Sequence, residues 1–313
     1  MQTAPFGDLG LNLSRIGLGT MPLAIAGRPS FDDATRLIRR ALDSGINWFD
    51  TADSYALDDS DIGYGERLLA HALAEAKAED VMVTTKGGWV RPQGEWRVDG
   101  QPARLKAACE ASLRALGVSS IYLYQLHAPD PRVPFADSVG ALAELQRAGK
   151  IRYIGLSNVD LGHLHEAQRE AEIRTVQNRC NLFDQASFDN GVIDYCAARQ
   201  IAFIAHSPLG GHTGHTRAES SSVIRGIAAQ LGASPHEVCL RWLLQQGSHI
   251  FPIPGSTRLA SLESNLKATE GTLGEAALRE LSAAFPRAGF PKQQAVRVRN
   301  ELRRLGRALR RLT

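Results

Sequence analysis

The sequence predicts an α/β chain folded as one (β/α)8 barrel spanning residues 1–313. Three observations predict it. Short apolar runs and amphipathic stretches alternate almost without interruption. Eight of the runs are strand-like, the number that closes such a barrel. The alternative, a doubly wound sheet, wants a glycine-rich turn after its first strand. The only candidate, Gly17-Leu-Gly19-Thr-Met-Pro22, lacks the third glycine and runs into a proline rather than a helix.

Phe6–Ser14 comes first and reads as a small N-terminal β-hairpin that could plug the bottom of a barrel. The strand candidates follow as Ile16–Thr20, Asn47–Ala52, Val81–Lys86, Ile121–His127, Ile151–Asn158, Thr175–Asn181, Ile201–Pro208 and His249–Gly255. Amphipathic stretches between them include Phe31–Ser44, Glu66–Ala78, Ala103–Leu116, Phe135–Ala148 and Leu161–Ala171. Ser234-Pro-His-Glu237 sets a capping serine, a first-turn proline and a reciprocal glutamate before Val238–Leu244. Gly45, Gly117 and Gly149 follow helical runs where a left-handed residue is wanted. Beyond the eighth unit, Gly271–Phe285 predicts an extra helix and Pro291–Leu312 another. No domain boundary or long-period repeat is visible, so residues 286–313 are read as a basic helical C-terminal extension of a single domain.

Hydrophobic content of 43% and charged content of 22% are ordinary for a globular chain. No run of 18 apolar residues is present, so no transmembrane helix is expected. The N-terminus lacks a basic segment followed by an apolar one, so no secretory signal is expected either. The four cysteines, Cys109, Cys180, Cys196 and Cys239, make no C-x-x-C pair, which suits reduced thiols in a cytoplasmic protein. Net charge is +3, but Arg297–Thr313 holds seven arginines and one glutamate, leaving −3 on the remainder. A mildly acidic body argues against a nucleic-acid binder.

Asp50, Tyr55, Lys86 and His127 lie at or just after the ends of strand-like runs, where a barrel's active site is built. Each has a commonplace reading of its own: a turn aspartate, a packing tyrosine, a hydrogen-bonded histidine. A lysine in a partly buried rim is less ordinary, because an ammonium there needs a partner. Together the four form a proton-transfer set suited to carbonyl reduction. Oxygen that gains negative charge as hydride arrives must be protonated. A phenol, with a reference pKa of about 10, is a weak acid for that task. The Lys86 ammonium is expected to lower the Tyr55 pKa, Asp50 to keep Lys86 charged, and His127 to donate a hydrogen bond to the carbonyl oxygen.

Beyond these four, matching segments run nearly end to end. They are Ile16–Thr20, Ala41–Tyr55, Gly63–Glu66, Thr84–Lys86, Leu123–His127, Gly149–Asn158, Val176-Gln177 and Ile253–Ser256. On these the chain resembles the aldo-keto reductase superfamily. The resemblance implies a (β/α)8 barrel, a nicotinamide cofactor (NADPH favoured over NADH) and a catalytic tetrad at Tyr55, Lys86, Asp50 and His127.

By the same resemblance, Ser157, Asn158 and Gln177 would hold the carboxamide of the nicotinamide. His206 takes the place of the usual stacking aromatic, and its charging is expected to make cofactor binding weaker or dependent on pH. Ser207 and Leu209 beside it would also bind the cofactor, and Gly211 belongs to the loop Gly210–Arg217 over the pyrophosphate. Gly255, Ser256, Thr257 and Arg258 precede a helix start suited to the 2′-phosphate, and Asn265 would contact adenine. Two family contacts are altered, with Ser261 and Ser264 where longer side chains are usual. His212 and His215 in the pyrophosphate loop lack carboxylate or cysteine companions, so no metal is expected.

Trp89 would line the substrate pocket with Tyr55 and His127, and Val90–Gln101, with Arg91, Trp96 and Arg97, could fold over an anionic substrate. Leu302, Leu305, Leu309 and Leu312 make an apolar helical stripe that could join two copies of the chain or meet an acidic partner. The function expected is reduction of a small-molecule aldehyde or ketone. Alternatives are a nicotinamide-binding regulatory subunit resembling potassium-channel β-subunits, or an aldose dehydrogenase running in the oxidative direction.

Overall fold

The computed structural model describes residues 1–211 and 214–288. Eight parallel strands run through Leu18–Gly19, Trp48–Asp50, Met82–Gly87, Ile121–Leu126, Ile151–Ser157, Ile173–Arg179, Ala202–His206 and Ile250–Pro252, here called the first to eighth. Each pairs with the next in sequence order. The ends of the row meet, since the Gly17 amide donates to the Pro252 carbonyl at 3.0 Å. A Cβ on Gly19 would lie 2.8 Å from the Ile253 carbonyl oxygen, so only glycine permits this approach. The (β/α)8 barrel expected from the sequence is the fold.

Helices Phe31–Asp43, Tyr64–Glu75, Pro102–Leu116, Phe135–Arg147 and Leu161–Glu170 fall where the apolar spacing predicts them. Their starts are built locally: Ser30 accepts from the Asp33 amide at 3.1 Å and Asp160 from the His163 amide at 2.9 Å. Gly45, Gly117 and Gly149 are left-handed as expected, with φ of 88°, 68° and 72°. The second half is more broken than predicted, with helices Ala186–Asp189, Val192–Ala198, Thr216–Ser220 and Ser222–Leu231 before Pro235–Leu244, Leu259–Lys267 and Glu275–Ala284. The expected reciprocal cap at Glu237 needs correction. Ser234 does cap the Glu237 amide, but the Glu237 carboxylate accepts from the Ser264 hydroxyl at 3.1 Å and lies 3.5 Å from Arg241. A neighbouring helix outcompetes its own backbone.

The N-terminal hairpin starts earlier than predicted, pairing Thr3–Pro5 with Asn12–Ser14. Phe6, in its turn, is fully buried and packs on Phe251 at 4.8 Å and Trp48 at 5.6 Å. Trp48 Nε1 is satisfied by the Ser14 carbonyl at 2.9 Å. This plugs the end of the barrel opposite the site. The predicted helix Pro291–Leu312 and its leucine stripe lie outside the described residues. Among the described residues no helix is long and apolar enough to cross a membrane.

Candidate active site

The second strand ends in Asp50 and the third carries Lys86; both side chains are essentially inaccessible. Lys86 Nζ sits 2.5 Å from Asp50 Oδ1, 2.8 Å from the Thr51 carbonyl and 3.2 Å from the Tyr55 hydroxyl. Three acceptors around one ammonium satisfy its three N–H groups. Asp50 is held from its other side, where Oδ2 accepts from Thr84 at 2.6 Å, Gln177 at 2.8 Å and Gln125 at 3.3 Å. Thr84, Gln125 and the Thr51 carbonyl were missed by the sequence reading. Thr84 and Gln125 each stand two residues before one of the four, Lys86 and His127, on the same strand face, which is the signal that could have found them.

Burial alone would pull the Lys86 ammonium down, but Asp50 and Tyr55 more than offset it and lift Lys86 above its usual value. Tyr55 corrects an expectation. Burial pushes the phenol up by more than the nearby Lys86 ammonium pulls it down, so its pKa lies above the ordinary one. The phenol is a stocked acid, protonated at neutral pH. His127 faces the Tyr55 ring edge-on at 5.7 Å, and burial with the Lys86 charge holds its imidazole well below the usual range, hence neutral.

The mouth is aromatic. Trp89 stands 6.1 Å from His127 and 5.9 Å from Trp96, which in turn lies 6.5 Å from Tyr55. The segment expected as a loop is instead a two-stranded ribbon, Trp89–Val90 paired with Arg97–Val98. Arg91 is not free for a substrate. It donates to the Leu57 carbonyl at 2.9 Å and the Gly94 carbonyl at 2.7 Å, and its guanidinium lies 3.9 Å from the Trp96 ring.

Behind the third strand lies a buried acidic pair that the sequence reading left without a role. Thr85 donates to Glu66 at 2.5 Å, while the other Glu66 oxygen and both Asp53 oxygens meet no partner of good geometry. Arg104, 3.9 Å from Asp53, is the nearest cation. Burial, reinforced by the Glu66 charge, raises Asp53 to about 8, and burial raises Glu66 to about 7.

Residues 15–284 match the family model described as the aldo/keto reductase family. The chain belongs to this family. It is 34% identical over 271 residues to an uncharacterised oxidoreductase of Schizosaccharomyces pombe, covering 85% of this chain and 84% of that one. It superimposes on a thermostable aldo-keto reductase, crystallised with the inhibitor epalrestat, with a TM-score of 0.77 and 28% identity, covering 90% of this chain and 99% of that one. A glycerol dehydrogenase from Gluconobacter oxydans matches with a TM-score of 0.79 and 25% identity over 92% of this chain and 97% of its own. The aldo/keto reductase fold and oxidoreductase class of this protein rest on these matches.

Around the aldo/keto reductase rim, the residues expected to hold a cofactor come from the second half of the barrel. Asn158 Nδ2 donates to the His127 carbonyl at 2.9 Å and to Ser157 Oγ at 3.1 Å. Its Oδ1 faces His206 Nε2 at 3.1 Å, so Asn158 is a strut between the two histidines. Gln177 spends its NH2 on Asp50, and no hydrogen bond to its carbonyl oxygen is made among the described residues. His206 Nδ1 meets Ser207 Oγ at 3.1 Å. Burial, with the Lys86 and Arg179 charges, lowers its pKa to about 3. The expected charging of His206 is thereby corrected: the ring stays neutral at physiological pH.

Leu209 is half-buried, and Gly210 and Gly211 are left-handed with φ of 94° and 74°. A Cβ on Gly211 would meet Ser207 Oγ at 3.2 Å and Arg179 at 3.3 Å. His212 and Thr213 lie outside the described residues. At the eighth strand, a Cβ on Gly255 would lie 2.6 Å from Pro22. Asn265 donates to Ser256 Oγ at 3.0 Å, tying the turn to helix Leu259–Lys267. That helix begins after Arg258 with no side-chain cap, and Thr257 and Arg258 are exposed beside it.

Proposed function

We propose that this protein reduces an aldehyde or ketone to an alcohol with NADPH, Tyr55 acting as general acid. The observation that carries the reading is the buried chain Asp50–Lys86–Tyr55, with Lys86 Nζ 2.5 Å from the carboxylate and 3.2 Å from the phenol. A bound nicotinamide cofactor would supply the hydride. The protein's own part is to receive the charge that develops on the carbonyl oxygen. Tyr55 donates its proton there, and the resulting phenolate rests against the Lys86 ammonium. Neutral His127 has one N–H to offer the same oxygen, fixing the carbonyl's orientation. Trp89 and Trp96 cover the substrate and keep water away.

The cradle suits the cofactor in three places. The Gln177 carbonyl oxygen and Ser157 hydroxyl can partner a carboxamide. The left-handed glycine pair leaves room for close backbone approach to phosphates. The uncapped helix start with Thr257 and Arg258 suits the 2′-phosphate that distinguishes NADPH from NADH. His206 would lie against the ring of the nicotinamide. The direction of reaction follows the cofactor poise. Four buried, unpaired thiols agree with a reducing compartment, the cytoplasm. The C-terminal segment is proposed to join two copies, and deletion of 292–313 with a mass measurement in solution tests that alone.

The decisive experiment follows NADPH oxidation across aldehydes and ketones. Native protein turns over a substrate, and Tyr55→Phe loses at least about a hundredfold in kcat, the scale of general-acid catalysis. Undiminished turnover in that variant overturns the mechanism.

A further inference from the structure

The ribbon over the mouth carries Trp89 against His127. The cross-strand partners Val90 and Arg97, with Val98 at the ribbon's end, line a cleft of about 550 Å³. It is closed by the Asp59–Asp61 turn and the start of helix Pro102–Leu116. Four guanidiniums line it, from Arg91, Arg97, Arg104 and Arg132, against two carboxylates, Asp59 and Asp99.

The cations are unequally satisfied. Arg132 is chelated by Asp130, with both contacts at 2.9 Å. Arg97 faces Glu95 at 3.5 Å in solvent. Among the described residues the one carboxyl within 4.0 Å of Arg104 is Asp53, at 3.9 Å, which burial keeps largely protonated at neutral pH. Arg91 is 5% exposed; its Nε and Nη2 reach backbone carbonyls, but its Nη1 is buried without any partner. Helix Pro102–Leu116, fifteen residues long, starts with no hydrogen bond from its cap side chain, and Asp99 accepts from the Gln101 amide at 3.3 Å beside it. The Arg97 and Arg104 guanidiniums, the wall residue Arg91 with one unpartnered nitrogen, and a helix N-terminus thus border one concave space.

We propose that this cleft binds a small phosphate-type anion, at a site distinct from the reaction centre. The anion bridges Arg97 on the ribbon and Arg104 on the helix. Arg91 supplies positive potential from the wall and stacks on Trp96 at 3.9 Å, so the bound anion steadies the aromatic lid. The ligand is a free anion, because none of Tyr55, His127, Trp89 and Trp96 lines the cleft.

The test titrates inorganic phosphate into the protein at constant ionic strength, with NADP+ saturating so that its own phosphate positions are filled, and reads the thermal midpoint. Native protein gains stability in a saturating manner. Arg104→Gln, or the exposed Arg97→Gln if the first folds poorly, weakens apparent affinity roughly tenfold, the worth of one charge-assisted hydrogen bond. Arg258→Gln at the far helix leaves it unchanged. No response in native protein, or a response lost in Arg258→Gln and kept in both cleft variants, overturns the proposal. A second arm compares kcat/KM for a phosphorylated aldehyde and its unphosphorylated parent. Arg104→Gln changes the two alike if the anion is free, and a selective loss for the phosphorylated one sinks the separate site.

Discussion

Lys86 is the residue on which the proposed chemistry turns, and its charge survives burial because Asp50 stands 2.5 Å away. Removing one member of a buried, hydrogen-bonded pair leaves the other uncompensated, which costs about 3–5 kcal/mol. Lys86→Met is therefore expected to lose that much stability in chemical denaturation as well as activity; a near-native midpoint would show that Asp50 is served well enough by Thr84, Gln125 and Gln177. His206 yields a different expectation. With its pKa near 3, the imidazole does not titrate between pH 5.5 and 8. The ratio of NADPH dissociation constants for native protein and His206→Phe should stay flat across that range, and a ratio that moves with pH contradicts a neutral ring. The grouping of Asp50, Tyr55, Lys86 and His127 was legible in the sequence because each stands at or beyond the end of an apolar strand. The sign of the Tyr55 shift was not, because it depends on how completely the fold excludes water, and a one-dimensional reading cannot weigh that against the Lys86 charge.

Between the third strand and the helices behind it, packing sets up two measurable effects. Asp53 and Glu66 have folded pKa values of about 8 and 7, against roughly 4 in an unfolded chain. The folded state thus binds more protons than the unfolded state between those limits, and stability falls as pH rises. The contribution is whole below about pH 4 and gone above about pH 8. Asp53→Asn with Glu66→Gln should flatten the decline measured by urea unfolding at pH 5 and pH 8; an unchanged slope assigns the pH dependence elsewhere. The second effect concerns Gly87, where a Cβ would lie 2.1 Å from the buried, unpartnered Tyr124 hydroxyl. Gly87→Ala should cost about 1–3 kcal/mol, the range for overpacking. Adding Tyr124→Phe should return part of it; no recovery would locate the strain in the backbone instead. The element order and the first five helices were legible from apolar spacing and glycine stops. The ribbon was not, because Trp89-Val90 and Arg97-Val98 are too short for a period to register, and the Glu237 carboxylate was drawn to Ser264 by a contact 27 residues away in sequence.

At the scale of the molecule, one end of the barrel is sealed by the N-terminal hairpin and the other is open for chemistry. Phe6→Ala should lower stability by about 3–5 kcal/mol while leaving KM in place, because Phe6 packs only on the sealed end. A change in KM larger than in stability would mean the plug reaches the site. The barrel also divides its labour along the chain. Asp50, Tyr55, Lys86 and His127 all precede residue 130, and the cradle proposed for the cofactor, from Ser157 to Asn265, all follows residue 150. The hydrogen bond from Gln177 to Asp50, spanning 127 residues, is a rivet between these two workshops. A chain split in the turn at Gly149 would leave one fragment with every group proposed to handle the proton and the other with every residue proposed to grip the cofactor. Neither piece could turn over alone, and the return of activity on mixing them would report the closing of the barrel itself.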